Sequence, residues 1–281
     1  MHSQALSPFP ARPAAPPPGS PDAPADGALK AVLWDMDGTL VDTEPYWIAA
    51  ERTLVEAHGG VWTPEQAMSL VGQSLVYSSK VLQQSGVSMD SRAIINHLTV
   101  EVIGQVRKEV PWRPGARELL HQLFEQGVRC ALVTMSEGPL AAEIVNSLPE
   151  QYFEFMITGD AVTHGKPHPE PYLTAVERLR LEDASLTADN CVALEDSVPG
   201  VASAQASGVV TVAIPHVVPL PEHPGRATWR TLVGRTVNDL RALTAARVAA
   251  EGSAARTTAE GTTAWAAEGS AAQVAAEGPA A

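Results

Sequence analysis

Four short groups of polar residues stand where apolar runs break off: Asp35-Met36-Asp37-Gly38-Thr39, Thr134-Met135-Ser136, Gly165-Lys166-Pro167 and Glu195-Asp196. Residues two apart on a chain leaving a strand project the same way, so Asp35 and Asp37 face one site while Met36 turns back to the core. If the four groups meet, three or four carboxylates share one crevice and repel one another. A divalent cation relieves that repulsion, and an all-oxygen ligand set with few dedicated protein groups suits Mg²⁺. A lone lysine and a hydroxyl beside such a cation, Lys166 and Thr134, suit a phosphate, which brings negative charge of its own to the metal.

The elements that must bring these groups together can be read from the pattern around them. Apolar runs at 31–34, 128–133, 155–158, 191–194 and 209–214 read as strands. Between them lie helical stretches at 116–126, 138–147, 169–180 and 199–207, with Gly127 and Gly208 placed as C-terminal stops. Near-continuous apolar strands alternating with helices predict a parallel sheet covered on both faces, an α/β fold with a Rossmann-like three-layer core. The segment 44–109 breaks the alternation and shows no strand. Thr63-Pro64-Glu65-Gln66 is a capping box with proline at the first helical position, and Gly59-Gly60 and Gly86 end the helices around it. Asp42 and Thr43 are expected to cap the first of these helices, ahead of Pro45. A helical module inserted directly after strand one belongs over the carboxyl edge of the sheet, where ligands bind in such folds. The predicted organisation is a core formed by 29–45 and 111–246, with a helical cap over 46–110.

Composition narrows the function classes. The 281 residues are 45% apolar and 18% charged, an ordinary globular balance. Net charge is −13, which argues against a broad surface for nucleic acid or anionic membrane. No apolar run reaches 18 residues, so a membrane span is not expected. Two cysteines, Cys130 and Cys191, make no disulfide framework and no zinc cluster, and on predicted strands they read as inert core in a reducing, cytoplasmic compartment. Eight prolines fall between Pro8 and Pro24, so 1–28 is expected to be a disordered Pro/Ala-rich arm, with neither the basic nor the apolar region of a signal peptide. Ala-Glu-Gly recurs through 247–281, expected to be a low-complexity tail in which Trp265 is the only large apolar group.

The run Asp35-Met36-Asp37-Gly38-Thr39-Leu40-Val41-Asp42-Thr43-Glu44 resembles the first motif of the haloacid dehalogenase superfamily of phosphohydrolases. Thr134, Lys166 and Glu195-Asp196 fall where that family's second, third and fourth motifs belong, and the resemblance spans the whole predicted folded part, helical cap included. It is nearest to the subgroup of β-phosphoglucomutase and small sugar-phosphate phosphatases. The resemblance implies that Asp35 is the nucleophile, forming an aspartyl-phosphate that water then hydrolyses. Asp37 would protonate the leaving alkoxide and later deprotonate the water. Mg²⁺ would be held by the Asp35 carboxylate, the Asp37 backbone carbonyl and Asp196, with Glu195 holding a metal-bound water. Lys166 and Thr134 would bind phosphoryl oxygens, and the metal and Lys166 would keep Asp35 ionised.

Within that subgroup a mutase needs a second phosphate site. The position of the mutase's histidine is Trp47 here, the stretch Val71-Gly72-Gln73-Ser74-Leu75 carries no basic residue, and Glu137 stands where the mutase has a lysine. The expected function is therefore hydrolysis of a small phosphorylated metabolite (a sugar, polyol or similar ester) by a monomer, with a phosphomutase or a non-catalytic binding protein on the same fold as alternatives. Tyr46, Trp47 and Tyr77 would wall the organic part of the substrate or, for Tyr77 above all, pack the cap's own core. Glu137 and Gln73 are candidates to bond its hydroxyls, and His164 and His168 read as surface residues.

Overall fold

The computed structural model describes residues 29–250. The predicted arm at 1–28 and the tail beyond 250, with Trp265, lie outside the described residues.

Five strands come from the predicted runs: β1 (Ala31–Trp34), β2 (Arg129–Val133), β3 (Met156–Ile157), β4 (Cys191–Glu195) and β5 (Val210–Ala213). A sixth, β6 (Ala227–Thr228), is added at one edge. All neighbours are parallel, in the order β3-β2-β1-β4-β5-β6. That places β1 in the middle, with Trp34 level with Leu132 on one side and Leu194 on the other. Continuing the register by one residue sets Asp35 between Val133 and Glu195, so three of the four polar groups leave the sheet side by side.

Alternate residues of each strand serve two cores, as a period of two requires. On one face Val32, Trp34, Cys130, Leu132, Val192 and Leu194 pack in a cluster with Leu119, Leu120 and Leu123 of α5 (Ala116–Glu125) and Leu140 and Ile144 of α6 (Gly138–Asn146). A further helix over 237–250 contributes Val237 and Leu240 to this cluster. It runs past 246, so the predicted boundary of the tail at 247 is too early. On the other face Ala31, Leu33, Ala131, Val133, Cys191 and Ala193 pack on Tyr172, Ala175 and Leu179 of α7 (Glu170–Arg180) and on Ala204 of α8 (Val198–Ala206).

Between β1 and α5 the described chain is helical and contains no strand: α1 (Glu44–Ala57), α2 (Pro64–Met68), α3 (Leu75–Gln84) and α4 (Ser91–Val106). The Thr63–Gln66 capping box forms as predicted, with both reciprocal bonds present. The first helix begins differently. Thr43 occupies the N-cap position of α1 but makes no capping bond; its hydroxyl donates to the Asp37 carboxylate instead. Asp42 lies 2.8 Å from the His216 ring nitrogen. Both residues thus tie the root of the insertion to the sheet edge. The insertion closes onto that edge at a second point, Gly72, where a methyl group would stand 2.7 Å from the Ser197 side chain.

Candidate active site

Asp35 is one residue past the end of β1, almost fully buried, with its backbone N–H bonded to the Leu194 carbonyl at 3.1 Å. Lys166 reaches it from the loop before α7. The ammonium Nζ donates to Asp35 Oδ1 at 2.7 Å, to Glu195 Oε1 at 2.5 Å and to the Val133 carbonyl at 2.8 Å, which uses all three of its protons. Burial by itself lowers the pKa of this ammonium, but the charges of Asp35 and Glu195 outweigh burial and raise it. Lys166 is therefore a fixed cation at the carboxyl edge of the sheet. The aromatic ring of Tyr172, 5.1 Å away, supports it from below, and the Tyr172 hydroxyl donates to Glu195 Oε1 at 2.7 Å.

The carboxylates are more numerous than this one cation can serve. Asp35, Glu195 and Asp196 are all buried and bring ligand oxygens within 4.8 Å of one another. Burial first, then Glu195, raise the Asp35 pKa to about 7 in spite of Lys166. Burial, Asp35 and Glu195 push Asp196 well above the ordinary carboxylate range. Lys166 lowers the Asp35 pKa but does not offset burial and Glu195 by itself, which leaves room for the cation that the sequence reading named beside it. Buried carboxylates held apart from water with one shared lysine are a donor set that fits a small hard divalent cation. Gly38 shows how closely the chain is drawn around them. Its φ is 91°, and a Cβ there would lie 2.1 Å from Asp196 Oδ2, so no side chain is tolerated. Thr39 adds a donor to Asp196 Oδ1 at 3.2 Å.

Glu195 takes a larger structural part than predicted. Its Oε1 accepts from Lys166 and Tyr172, and its Oε2 accepts from the Asp196 backbone N–H at 3.2 Å and the Ser197 hydroxyl at 3.4 Å. Its evident task in the protein is to hold Lys166 in place.

Asp37 projects into the same cleft and meets four donors. Thr43 and the Trp47 indole N–H (3.3 Å) donate to Oδ1; the hydroxyls of Ser136 (2.7 Å) and Thr134 (3.3 Å) donate to Oδ2. Thr134 Oγ1 also accepts from the Ser136 backbone N–H at 3.0 Å. Asp35, Asp37, Thr134, Lys166 and Ser136 line one cleft whose roof comes from α1 and from the chain between α2 and α3. Sequence reasoning brought forward the first four; it missed Ser136, Tyr172 and Thr43 as members, and it read Trp47 as an apolar wall or part of the insertion's own core. Ser136 sits two residues after Thr134, and the same period-of-two argument used for Asp35 and Asp37 would have found it.

Other expectations are corrected. Tyr77 is half exposed and so is not part of an insertion core. Tyr46 donates to the Glu109 carbonyl at 3.2 Å, at the root of the insertion rather than over the cleft. Glu137 pairs with Arg92 of α4 at 2.6 Å, so it bridges the insertion to the sheet edge rather than facing the cleft. Gln73 does line the cleft. His164 and His168 are exposed, as expected, and stack on each other with their ring centroids 4.7 Å apart. Cys130 and Cys191 are buried on β2 and β4, and burial pushes the Cys191 thiol up to about 12.

The model of the haloacid dehalogenase-like hydrolase family matches residues 32–214, which hold every one of these side chains. The chain belongs to that family. Among characterised relatives, a phosphorylated carbohydrates phosphatase of Thermotoga maritima is 32% identical over 186 residues, 64% of this chain and 82% of that protein. Hexitol phosphatase B of Escherichia coli is 26% identical over 198 residues, 69% of this chain and 85% of that one. The fold is shared with CbbY from Rhodobacter sphaeroides, solved in complex with phosphate (TM-score 0.63, 23% identity, 73% of this chain and 96% of that one). It is shared as well with β-phosphoglucomutase from Clostridium difficile (TM-score 0.67, 18% identity, 79% and 99%). No helix among the described residues is long and apolar enough to cross a membrane.

Proposed function

We propose that this phosphoric monoester hydrolase cleaves small sugar or polyol phosphates through an aspartyl-phosphate on Asp35. The observation that carries the proposal is the contact between Asp35 and a fully committed Lys166, 2.7 Å apart at the end of the central strand and ringed by further carboxylates. A nucleophilic carboxylate needs its charge, an in-line approach and stabilisation of the transferring group. Asp35 is held by the bond of its backbone N–H to the Leu194 carbonyl of β4. Lys166 places a positive charge where phosphoryl oxygens would lie, and Thr134 and Ser136 add hydroxyl donors beside it. Asp37, on the same side of the chain two residues on, hands a proton to the leaving oxygen and then takes one from the attacking water.

The Asp35 carboxylate, the Asp37 backbone carbonyl and Asp196 would hold Mg²⁺, with Glu195 behind them. When bound, the ion offsets the carboxylate charge and polarises the phosphoryl oxygens. Residues 46–110 act as a cap over the core formed by 29–45 and 111–246, shielding the intermediate from bulk water. The names of the Thermotoga and Escherichia relatives support the substrate class, and hydrolysis is favoured over mutase chemistry because Lys166 is the only basic residue among the described residues that line the cleft.

The test is turnover of p-nitrophenyl phosphate and of a panel of sugar and polyol phosphates. Turnover is expected with Mg²⁺, abolished by EDTA, restored by Mg²⁺ and not by Ca²⁺, whose larger and looser coordination does not suit the site. Full activity after exhaustive chelation would refute the mechanism.

A further inference from the structure

The roof of the cleft carries a group that the phosphate site does not use. Glu44, Trp47, Ile48 and Glu51 fall at spacings of three, four and seven along α1, so they share one helix face, and all four line the cleft. Glu51 is 5% exposed; its Oε2 has no partner within normal hydrogen-bond geometry among the described residues, and the Trp62 indole N–H, near enough to lower the Glu51 pKa, is likewise unpaired. Leaving a buried polar oxygen unpaired is destabilising, and native proteins rarely do so without a ligand or water to complete the site. Burial, with the charge of Glu44 behind it, raises the Glu51 pKa to about 8, while the Trp62 indole acts in the opposite direction. At neutral pH the carboxyl thus both donates and accepts.

We propose that Glu51 determines specificity by hydrogen-bonding a hydroxyl of the leaving group, which restricts the enzyme to phosphate esters whose organic part bears hydroxyls and no second anion. The inference rests on the phosphatase function proposed above and names the substrate class within it. A hydroxyl supplies one donor and free lone pairs, the complement of a protonated carboxyl. Gln73 and Ser78 offer further polar contacts across the cleft, while Ile48 and the Trp47 ring lie between the polar positions and match a carbon skeleton. A second phosphate or a carboxylate would find no free cation on this side of the cleft, since Lys166 is already shared by Asp35 and Glu195. That is discrimination by the absence of a counter-charge as well as by attraction.

The experiment compares a hexitol 6-phosphate with hexyl phosphate, an ester of equal length without hydroxyls, using the full chain with Mg²⁺. The wild type is expected to favour the hexitol ester in kcat/KM by roughly tenfold or more. Glu51→Leu is expected to lose roughly 10- to 100-fold of that preference, chiefly through KM, because it removes a binding contact. Glu51→Gln keeps the shape and both hydrogen-bonding capacities, so it should hold the preference to within about threefold. A wild type without preference, or a Glu51→Leu variant with undiminished preference, overturns the proposal. Equal losses in the Gln and Leu variants also overturn it, because charge rather than hydrogen bonding would then be read, as for an ammonium group. If Glu51→Leu does not fold, the wild-type preference and the Gln variant decide. Failure of the wild type to hydrolyse either ester refutes the phosphatase function instead. Calorimetric titration of the two esters into the wild type and Glu51→Gln then tests Glu51 by itself: equal affinity for both esters overturns it.

Discussion

In the proposed mechanism Asp37 gives and takes a proton, and its neighbours decide how well it is aimed. Thr43, Thr134 and Ser136 carry hydroxyls that can turn from donor to acceptor as Asp37 changes state, whereas the Trp47 indole can only donate. Trp47 is therefore a positioning residue, and Trp47→Phe should lower kcat for an alkyl phosphate by roughly 2- to 10-fold, the worth of one such bond. The loss should be smaller for p-nitrophenyl phosphate, whose leaving group needs little protonation; an equal loss on both esters would show a purely structural role. Glu51 makes a separate prediction about stability. Its pKa rises from the ordinary 4.5 in the unfolded chain to about 8 in the fold. The folded state therefore binds the extra proton, and stability falls as pH rises from about 4.5 to about 8. Glu51→Gln, which cannot ionise, should raise Tm by several degrees at pH 8.5 and change it little at pH 4.5. At this scale the sequence exposed Asp35, Asp37, Lys166, Glu195 and Asp196, because acids and a lysine at strand ends have few structural uses. Trp47, Tyr172 and Glu51 were hidden because an aromatic or a glutamate on a helix fits a core or a solvated face equally well.

The elements are arranged so that a small displacement in one is felt by the whole edge. Gly200 stands in the first turn of α8, and a Cβ there would lie 2.0 Å from Glu195 Oε2. Gly200→Ala must push Glu195 away from Lys166 or shift the helix. Overpacking of this kind costs about 1–3 kcal/mol, and a domain of this size loses about 2–4 °C per kcal/mol. Calorimetry should show that drop in Tm, and kcat should fall by roughly tenfold or more because Lys166 loses its anchor. An unchanged kcat with a lowered Tm would separate Glu195 from the chemistry. The strands flanking the site were legible as unbroken apolar runs, and β1 was read with its observed bounds. Strand β6 was missed because two residues carry no alternation, and its place depends only on pairing with Val212 and Ala213. The 237–250 helix was missed because its buried residues, Val237, Leu240 and Thr244, are diluted by Ala and Arg. The start of α1 was placed correctly, with Thr43 at the N-cap, but only the tertiary structure shows that Asp37 claims its hydroxyl.

Across the described residues, buried carboxyl groups are concentrated where the sheet edge meets the insertion. Asp35, Glu44, Glu51 and Asp196 all have raised pKa values there, with burial the leading cause each time, and one lysine answers them. Such a site suits a substrate that arrives with a divalent cation and leaves a neutral alcohol behind, and it accounts for hydrolysis without a second anion-binding subsite. The central claim is that Asp35 becomes phosphorylated. Single-turnover mixing with p-nitrophenyl phosphate, acid quench and intact mass spectrometry measures this directly. The Asp37→Asn variant should accumulate one added phosphoryl group, mapped to the peptide that contains residue 35, because its first step needs little acid catalysis while hydrolysis lacks its base. Asp35→Asn should show none. Phosphorylation of Asp35→Asn to the same extent as Asp37→Asn would contradict the account and favour direct attack by water.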